Sequence, residues 1–158
     1  MRRELDIRSN SVSVVVVRIR GHSAEYLLLR RATDYLRDQW CQVAGAVEQG
    51  ETAWQAAIRE LKEETGLEAE SLYSADRFEQ FYRPDWDALV LVPLFVAYVP
   101  ADAGVHLNHE HSEYRWCSAE EAVRILPFFA QRANIEHVQT EFVERQPCPL
   151  SRILPKSS

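Results

Sequence analysis

Short apolar runs separated by polar breaks recur along most of the chain. The β-branched run at 11–18 predicts a strand, and the apolar run at 25–31 predicts a second strand that pairs with it as a hairpin. Residues 32–39 are polar and have no helical stripe, so they predict a loop that ends at Trp40, where a short strand begins. The first quarter of the chain is therefore expected to be built mainly of strands.

Further strands are expected in the second half of the chain. Residues 67–84 predict one or two strands, and residues 88–99 predict a long one. Pro93 interrupts that long run, which favours an edge position or a bulge because proline cannot donate a ladder hydrogen bond. A short strand is expected at 113–116, and the proline-containing segment 145–158 predicts an extended tail.

Helical spacing marks three other segments. Thr52 and Gln55 form the pattern of a capping box that opens a first helix, and Gly66 predicts its left-handed end. Ser118 and Glu121 repeat the capping pattern for a short second helix, and residues 128–144 carry apolar side chains at helical spacing. Strands combined with three helices in one 158-residue domain predict an α/β layered sandwich.

The end of the first helix is unusually acidic. Glu60, Glu63 and Glu64 fall in its last turns, where the helix dipole disfavours negative charge, and Glu60 and Glu64 form a like-charge pair one turn apart. One interpretation is a solvated charged face. The other is a site for a divalent cation, since Mg²⁺ is usually held by a few carboxylates together with waters and substrate phosphates.

The segment from Gly45 to Leu67 resembles the signature of the Nudix family at every fixed position. That signature is Gly, five residues, Glu, seven residues, Arg-Glu, an aliphatic residue, any residue, Glu-Glu, any residue, Gly and an aliphatic residue. The matching positions are Gly45, Glu51, Arg59, Glu60, Leu61, Glu63, Glu64, Gly66 and Leu67.

The resemblance implies a fold, an activity and a cofactor. The fold would be an α/β/α sandwich with a mixed β-sheet, and the activity would be hydrolysis of a diphosphate-linked substrate with Mg²⁺ or Mn²⁺. It implies Glu60 and Glu64 as the principal metal ligands with Gly45 beside them, Glu63 as an auxiliary ligand or base, and Arg59 as the residue that orients the carboxylates.

A carboxylate from a second segment is expected to complete the metal site. In the family such a residue precedes a Trp-bearing strand, and Glu110 is the matching position before Trp116, with Glu113 as the second choice. Either Glu110 or Glu63 is the candidate base. Separately, a cluster within eight residues offers a weaker hypothesis of a transition-metal site: His106, His109, Glu110, His111 and Glu113.

Candidate substrate contacts lie outside the signature. Arg30 and Arg31 could hold phosphates, and Trp40 and Tyr82 could stack on a flat ring. Segments around these arginines, Trp40 and Glu110 resemble the bacterial dihydroneopterin triphosphate (dATP) pyrophosphohydrolase branch. Val43-Ala44-Gly45, where many members have Pro-Gly-Gly, departs from the mutator-prevention branch.

The expected reaction converts a pterin or nucleoside triphosphate into a monophosphate and pyrophosphate. A dinucleoside polyphosphate hydrolase, whose Glu-His loop is similar, is the alternative enzyme. A non-catalytic nucleotide-binding module of the same fold is the alternative of another class, although the chain has the complete carboxylate set.

Charge and cysteine content limit the classes of molecule that the protein is expected to bind and the compartment in which it is expected to work. A net charge of −6 argues against binding of a nucleic-acid duplex, and the composition argues against a membrane-spanning role. The three cysteines, without a CxxC pair, favour a reducing cytoplasm over a disulfide framework. The expected partner is a small phosphorylated molecule, bound by a monomer or homodimer.

Overall fold

The computed structural model describes residues 1–156, which form one mixed β-sheet with helices on both of its faces. Within those residues there are nine strands and three α-helices. The strands are β1 (Asp6–Arg8), β2 (Ser11–Arg20), β3 (Ser23–Arg31), β4 (Trp40–Cys41), β5 (Val43–Ala46), β6 (Ser71–Arg83), β7 (Ala88–Tyr98), β8 (His111–Cys117) and β9 (Arg152–Leu154). The helices are α1 (Ala53–Thr65), α2 (Ala119–Ile125) and α3 (Phe129–Val138), and α3 continues as a π-helical turn at Gln139–Glu144.

The strand order places β2 and β7 at the centre of the sheet. The main path runs β4-β3-β2-β7-β6-β9, with β2 and β7 parallel and the β2–β3 and β6–β7 pairs antiparallel. Strand β5 pairs with the first half of β2, and β8 pairs with β3. This arrangement brings the start of β8 and the end of β5 to the region that α1 covers.

Alternation along β2 builds two cores. Val12, Val14 and Val16 pack on the face covered by α1, whereas Val15 and Val17 pack on the face covered by α2 and α3. Each core is lined by fully buried aliphatic side chains from the sheet and from its helix. The structure therefore confirms the predicted α/β/α sandwich with a mixed sheet.

The ends of α1 are where local chemistry predicts them. Thr52 accepts a hydrogen bond from the Gln55 amide, and the Gln55 side chain accepts one from the Thr52 amide. Gly66 adopts φ 74°, a left-handed conformation that favours glycine. Because both ends are fixed, the three glutamates of the last turns have a defined position.

Several elements differ from the sequence-based expectations. Pro93 lies in a central strand, so the edge position is wrong, but it faces Phe78 at an irregularity of β6, as the bulge alternative requires. Strand β8 begins at His111, earlier than predicted. At α2, Ser118 caps the Glu121 amide, but the Glu121 carboxylate pairs with Arg115 rather than completing a capping box.

The C-terminal segment is more ordered than a plain extended tail. A 3-10 turn at Pro149–Ser151 leads into β9, which pairs with β6. Among residues 1–156, no helix has the length and apolar character needed to cross a membrane.

Candidate active site and metal centre

The end of β5 forms a floor against which Glu60 lies. A Cβ atom added at Gly45 would come within 2.0 Å of the Glu60 Cδ atom, so any larger residue would displace this carboxylate. Glu60 is mostly buried, and burial raises its pKa, an effect that the hydrogen bond from Arg59 opposes. The glycine at this position is therefore required by the close approach of a carboxylate to the strand.

Arg59 connects the helix, the preceding loop and β5. Its guanidinium binds both carboxylate oxygens of Glu51, at 2.7 and 3.1 Å, and donates to the Ala46 carbonyl at 2.8 Å. It also donates to Glu60 at 2.9 Å and to Glu63 at 3.2 Å. A single arginine thus holds the acidic end of α1 against the loop.

Glu64 is the most deeply buried of the three helix glutamates, with 3% of its side chain exposed. Its Oε2 atom accepts a hydrogen bond from the Ala44 amide at 3.3 Å. Burial, together with the charges of Glu60 and Glu110, raises the pKa of Glu64 to about 9. Without a cation, this carboxyl group is therefore held in a position that disfavours its charge.

Glu110 and His111 bring two further donor groups to Glu64. One ligand atom from each of the three residues lies within 4.8 Å of the others. Burial lowers the pKa of His111 to about 4, so its imidazole is neutral near pH 7. Glu113, the second choice from the sequence, instead pairs with Arg30 at 2.9 Å.

The histidine cluster suggested by the sequence does not form as a unit. His106 lies against Gly66, His109 is exposed, and His111 alone joins the carboxylates. The residues present fit a divalent cation, because the carboxylates of Glu64 and Glu110 beside a neutral imidazole offer oxygen and nitrogen donors.

The two candidate phosphate-binding arginines take different positions. The positive charge of Arg31 acts on Glu64, Cys41 and His111, which places its guanidinium beside the cluster. Arg30 pairs with Glu113 and Asp38 at the surface. The structure thus brings Arg31 to the cluster, whereas the contacts of Arg30 lie elsewhere.

The two candidate stacking residues also lie in different parts of the structure. Trp40 pairs with Arg30 across β3 and β4 and lies under the Arg115 guanidinium, 5.3 Å from the ring centre. Tyr82 is about half exposed and donates its hydroxyl to Asp87 at 2.9 Å within the β6–β7 hairpin. Neither ring has a contact with the carboxylates, so their role in binding substrate stays a prediction.

Sequence reasoning missed two features of this region. The sequence joins His111 with Glu110 only in the transition-metal hypothesis and does not select it for the carboxylate site, although its position directly after Glu110 is the signal that it enters that site. Arg83 was not selected, yet its guanidinium lies between the rings of Tyr35 and Trp86, at 4.5 and 3.7 Å from their centres. No spacing in the sequence indicates that stack, because it joins the 32–39 loop to a distant hairpin.

A second buried polar cluster lies on the other face of the sheet. Glu79 accepts a hydrogen bond from the Asn134 amide at 2.6 Å, and Asn134 also contacts Gln42 and Arg77. Burial raises the pKa of Glu79, while hydrogen bonds from Asn134 and Ser13 oppose the shift. This cluster differs from the first in that Glu79 accepts hydrogen bonds from side chains, whereas the hydrogen bond to Glu64 comes from a backbone amide.

Comparison with known proteins identifies the family. The model of the NUDIX domain matches residues 9–143. The chain is 33% identical over 145 residues to the dihydroneopterin triphosphate diphosphatase of Escherichia coli (strain K12), covering 79% of this chain and 89% of that protein. It is 32% identical over 119 residues to the asymmetrical bis(5'-nucleosyl)-tetraphosphatase of Caenorhabditis elegans, covering 75% of this chain and 85% of that protein.

A third relative is much longer than the chain. An octanoyltransferase of Myxococcus xanthus is 37% identical over 128 residues, which cover 80% of this chain but only 35% of that protein. Among solved structures, the E. coli dihydroneopterin triphosphate pyrophosphohydrolase superposes with a TM-score of 0.71 at 27% identity, covering 89% of this chain and 99% of that one. The chain therefore belongs to the NUDIX family and is an enzyme of the pyrophosphohydrolase class.

Proposed function

We propose that the enzyme hydrolyses a triphosphate chain to a monophosphate and pyrophosphate, with dihydroneopterin triphosphate or a (deoxy)nucleoside triphosphate as the substrate. The observation that carries the proposal is the buried group of Glu64, Glu110 and His111 beside Glu60, with the positive charge of Arg31 next to it. The 33% identity to a dihydroneopterin triphosphate diphosphatase supports the choice of substrate.

Glu60, Glu64 and Glu110 would hold Mg²⁺, and the Gly45 backbone leaves room for the Glu60 carboxylate. When bound, the cation neutralises phosphate oxygens and makes the attacking water more acidic. The residues themselves supply position and charge. Arg59 fixes the Glu60 carboxylate through a hydrogen bond of 2.9 Å, and Arg31 adds a positive charge on the side of Glu110.

The chemical step is attack of a water oxygen on a phosphorus atom of the chain. The new P–O bond forms as the bridging P–O bond breaks, pyrophosphate leaves with the electron pair, and the water proton passes to a carboxylate. We assign that carboxylate to Glu110 rather than Glu63. The Glu63 side chain is 52% exposed and is held by Arg59, whereas Glu110 is half-buried and has a carboxylate oxygen within 4.8 Å of ligand atoms of Glu64 and His111.

The test is a Mg²⁺-dependent assay of dihydroneopterin triphosphate, dATP, dGTP and diadenosine tetraphosphate, with release of pyrophosphate as the readout. Glu110→Gln should lower kcat by roughly 100-fold or more with little change in KM, because a base acts in the transition state. Glu113→Gln is the matched control, since it removes a neighbouring acid that pairs with Arg30 at the surface. Equal effects of the two changes would contradict the assignment of Glu110.

The same substrate panel distinguishes the proposed triphosphate hydrolase from the alternative enzyme, a dinucleoside polyphosphate hydrolase. The 32% identity to a bis(5'-nucleosyl)-tetraphosphatase makes a dinucleoside polyphosphate the second candidate substrate. Fastest turnover of diadenosine tetraphosphate would favour that candidate. Trp40→Ala and Tyr82→Ala refine the result, because loss of a stacked ring should raise KM by an amount equal to about 1–3 kcal/mol. Binding of these substrates without turnover would instead favour the non-catalytic module.

A further inference from the structure

His111 is a buried imidazole whose ring lacks a good hydrogen bond within residues 1–156. Only 1% of its side chain is exposed, and its Nδ1 atom has no partner among those residues. Its Nε2 atom lies 3.6 Å from Glu64 Oε1 and 3.7 Å from Cys41 Sγ. A hydrogen bond from a ring nitrogen to oxygen is normally close to 3 Å, so the Glu64 contact is long. Burying a polar ring in this way is unfavourable unless something else binds it.

The position of Nε2 suggests what that partner is. One nitrogen and two carboxylate oxygens, from His111, Glu64 and Glu110, already lie within 4.8 Å of one another. Two atoms bound to one ion at about 2.1 Å can be up to about 4.2 Å apart, so only a small closure would bring all three to one cation. The long contact of Nε2 with Glu64 and the compact donor group are two separate observations that indicate the same ligand.

We propose that His111 Nε2 is itself a ligand of the divalent cation, which makes this centre a mixed nitrogen and oxygen site. The inference rests on the proposed function and goes beyond it, because an all-carboxylate site suits Mg²⁺, whereas imidazole favours first-row transition ions. The enzyme should therefore prefer Co²⁺ or Mn²⁺ over Mg²⁺ by more than its carboxylates alone would give.

Cys41 is a neighbour of this ligand set and not a member of it. Its Sγ atom lies near the Leu29 carbonyl at 3.5 Å, and burial raises the pKa of the thiol to about 12. A metal-bound cysteine has to be a thiolate, so the surroundings of Cys41 disfavour coordination. This difference makes Cys41 a suitable control for a residue that touches the histidine without binding the ion.

The first test measures metal affinity rather than turnover. Full-length protein freed of metal by a chelator is titrated calorimetrically with Co²⁺ and, separately, with Mg²⁺. His111→Gln replaces a nitrogen donor by an amide oxygen, so the Co²⁺ affinity should fall on the order of 10–100-fold, with a change of less than about threefold for Mg²⁺. His109→Gln, an exposed neighbour, and Cys41→Ser should keep the ratio of the two affinities. Equal loss for both ions, or no loss, would overturn the proposal.

The decisive result of the second test comes from the native protein, so it does not depend on the folding of a variant. Pulsed electron paramagnetic resonance of the Mn²⁺-loaded native protein should show coupling to a directly bound imidazole nitrogen, and His111→Gln should remove it. Absence of nitrogen coupling in the native protein would overturn the ligand assignment. Hydrolysis with Mg²⁺ is assayed on a metal-free portion of the same protein preparation. Turnover without nitrogen coupling would reject only the role of His111, whereas no turnover of any substrate would reject the proposed function.

Discussion

Two buried glutamates, Glu64 on the inner side of α1 and Glu79 beneath α3, occupy opposite faces of the same sheet and have opposite surroundings. Burial raises the pKa of both. Glu79 accepts a hydrogen bond of 2.6 Å from Asn134, which in turn accepts one from Arg77 at 3.0 Å. Glu64 has one hydrogen bond of 3.3 Å from a backbone amide and is close to other carboxylates.

This difference separates a structural carboxylate from a candidate ligand. Burial is shared by the two residues, so burial alone does not identify a functional site. Glu79 is stabilised by partners that the fold itself supplies, as expected for a buried polar group. Glu60 and Glu110 add negative charge beside Glu64, an effect larger than the opposing one of Arg31, so a bound cation would stabilise its charged form. Unbalanced charge is therefore the property that indicates function here.

Activity should show the largest difference between the two faces. Glu64→Gln is expected to lower kcat/KM by roughly 1000-fold or more, equal to about 4 kcal/mol in the activation barrier, because it removes a metal ligand. Glu79→Gln, the matched change on the other face, should alter kcat/KM by less than about threefold, since amide oxygen can still accept from Asn134. The measurement is steady-state kinetics with saturating Mg²⁺. Near-native activity of Glu64→Gln would end the assignment of Glu64 to the metal.

The stabilisation that a bound metal ion gives should differ between variants of the two faces, by a smaller free energy than the effect on activity. Mn²⁺ at about 100 times its Kd should raise the free energy of unfolding of the native protein by about 2.7 kcal/mol, because it binds only the folded state. Glu79→Gln should keep this stabilisation, and Glu64→Gln should lose most of it. Chemical denaturation with and without Mn²⁺ is the measurement. Stabilisation of all three proteins to the same extent would place the ion elsewhere.

A like charge can also be introduced beside Glu79, where the native sequence has the uncharged side chain of Asn134. Asn134→Asp places a second carboxylate against Glu79, and we expect the free energy of unfolding to fall by about 2 kcal/mol at neutral pH. The double change Asn134→Asp with Glu79→Gln should restore most of the loss, because it removes the like charge and keeps a donor and an acceptor. Denaturation curves of the three proteins test this. A double variant as unstable as the single one would mean that shape, not charge, matters at this position.

Local features of the sequence predicted more of the fold than of the site. The two ends of α1 followed from Thr52, Gln55 and Gly66, because capping depends on residues that are neighbours along the chain. The hairpin of β2 and β3 followed from two apolar runs separated by a turn. The pairing of β9 with β6 was not foreseen, since a strand of three residues carries almost no periodic signal.

Residues from one continuous motif were also easier to select than residues from separate segments. Glu60, Glu63 and Glu64 stand on one helix, so their proximity follows from helical geometry. Glu110 and His111 reach Glu64 only because β8 pairs with β3, an association between positions far apart in the chain. The roles of Arg30 and Arg31 could not be separated from sequence, since which neighbour points towards the cluster depends on the strand's register and on the bulge between them.

The pH dependence of stability should give the most specific difference. In the metal-free protein, burial raises the pKa of Glu64 to about 9 from its ordinary value of 4.5. Between these values the folded state binds more protons than the unfolded state, so the stability of the native protein should fall as pH rises, by up to about 1.4 kcal/mol per pH unit. Glu64→Gln lacks this titrating group. Its free energy of unfolding should therefore increase relative to that of the native protein from about pH 7 to pH 9, and the difference should then level off.

His111 does not complicate this range, because burial lowers its pKa to about 4 and it is neutral throughout. The measurement is chemical denaturation in the presence of a chelator at several values of pH, for the native protein, Glu64→Gln and Glu79→Gln. Excess Mn²⁺ should flatten the slope of the native protein, because the cation stabilises the charged carboxylate that burial disfavours. Native and Glu64→Gln stabilities that run parallel with pH would show that Glu64 is already balanced by the fold. The contrast with Glu79 would then lose its physical basis.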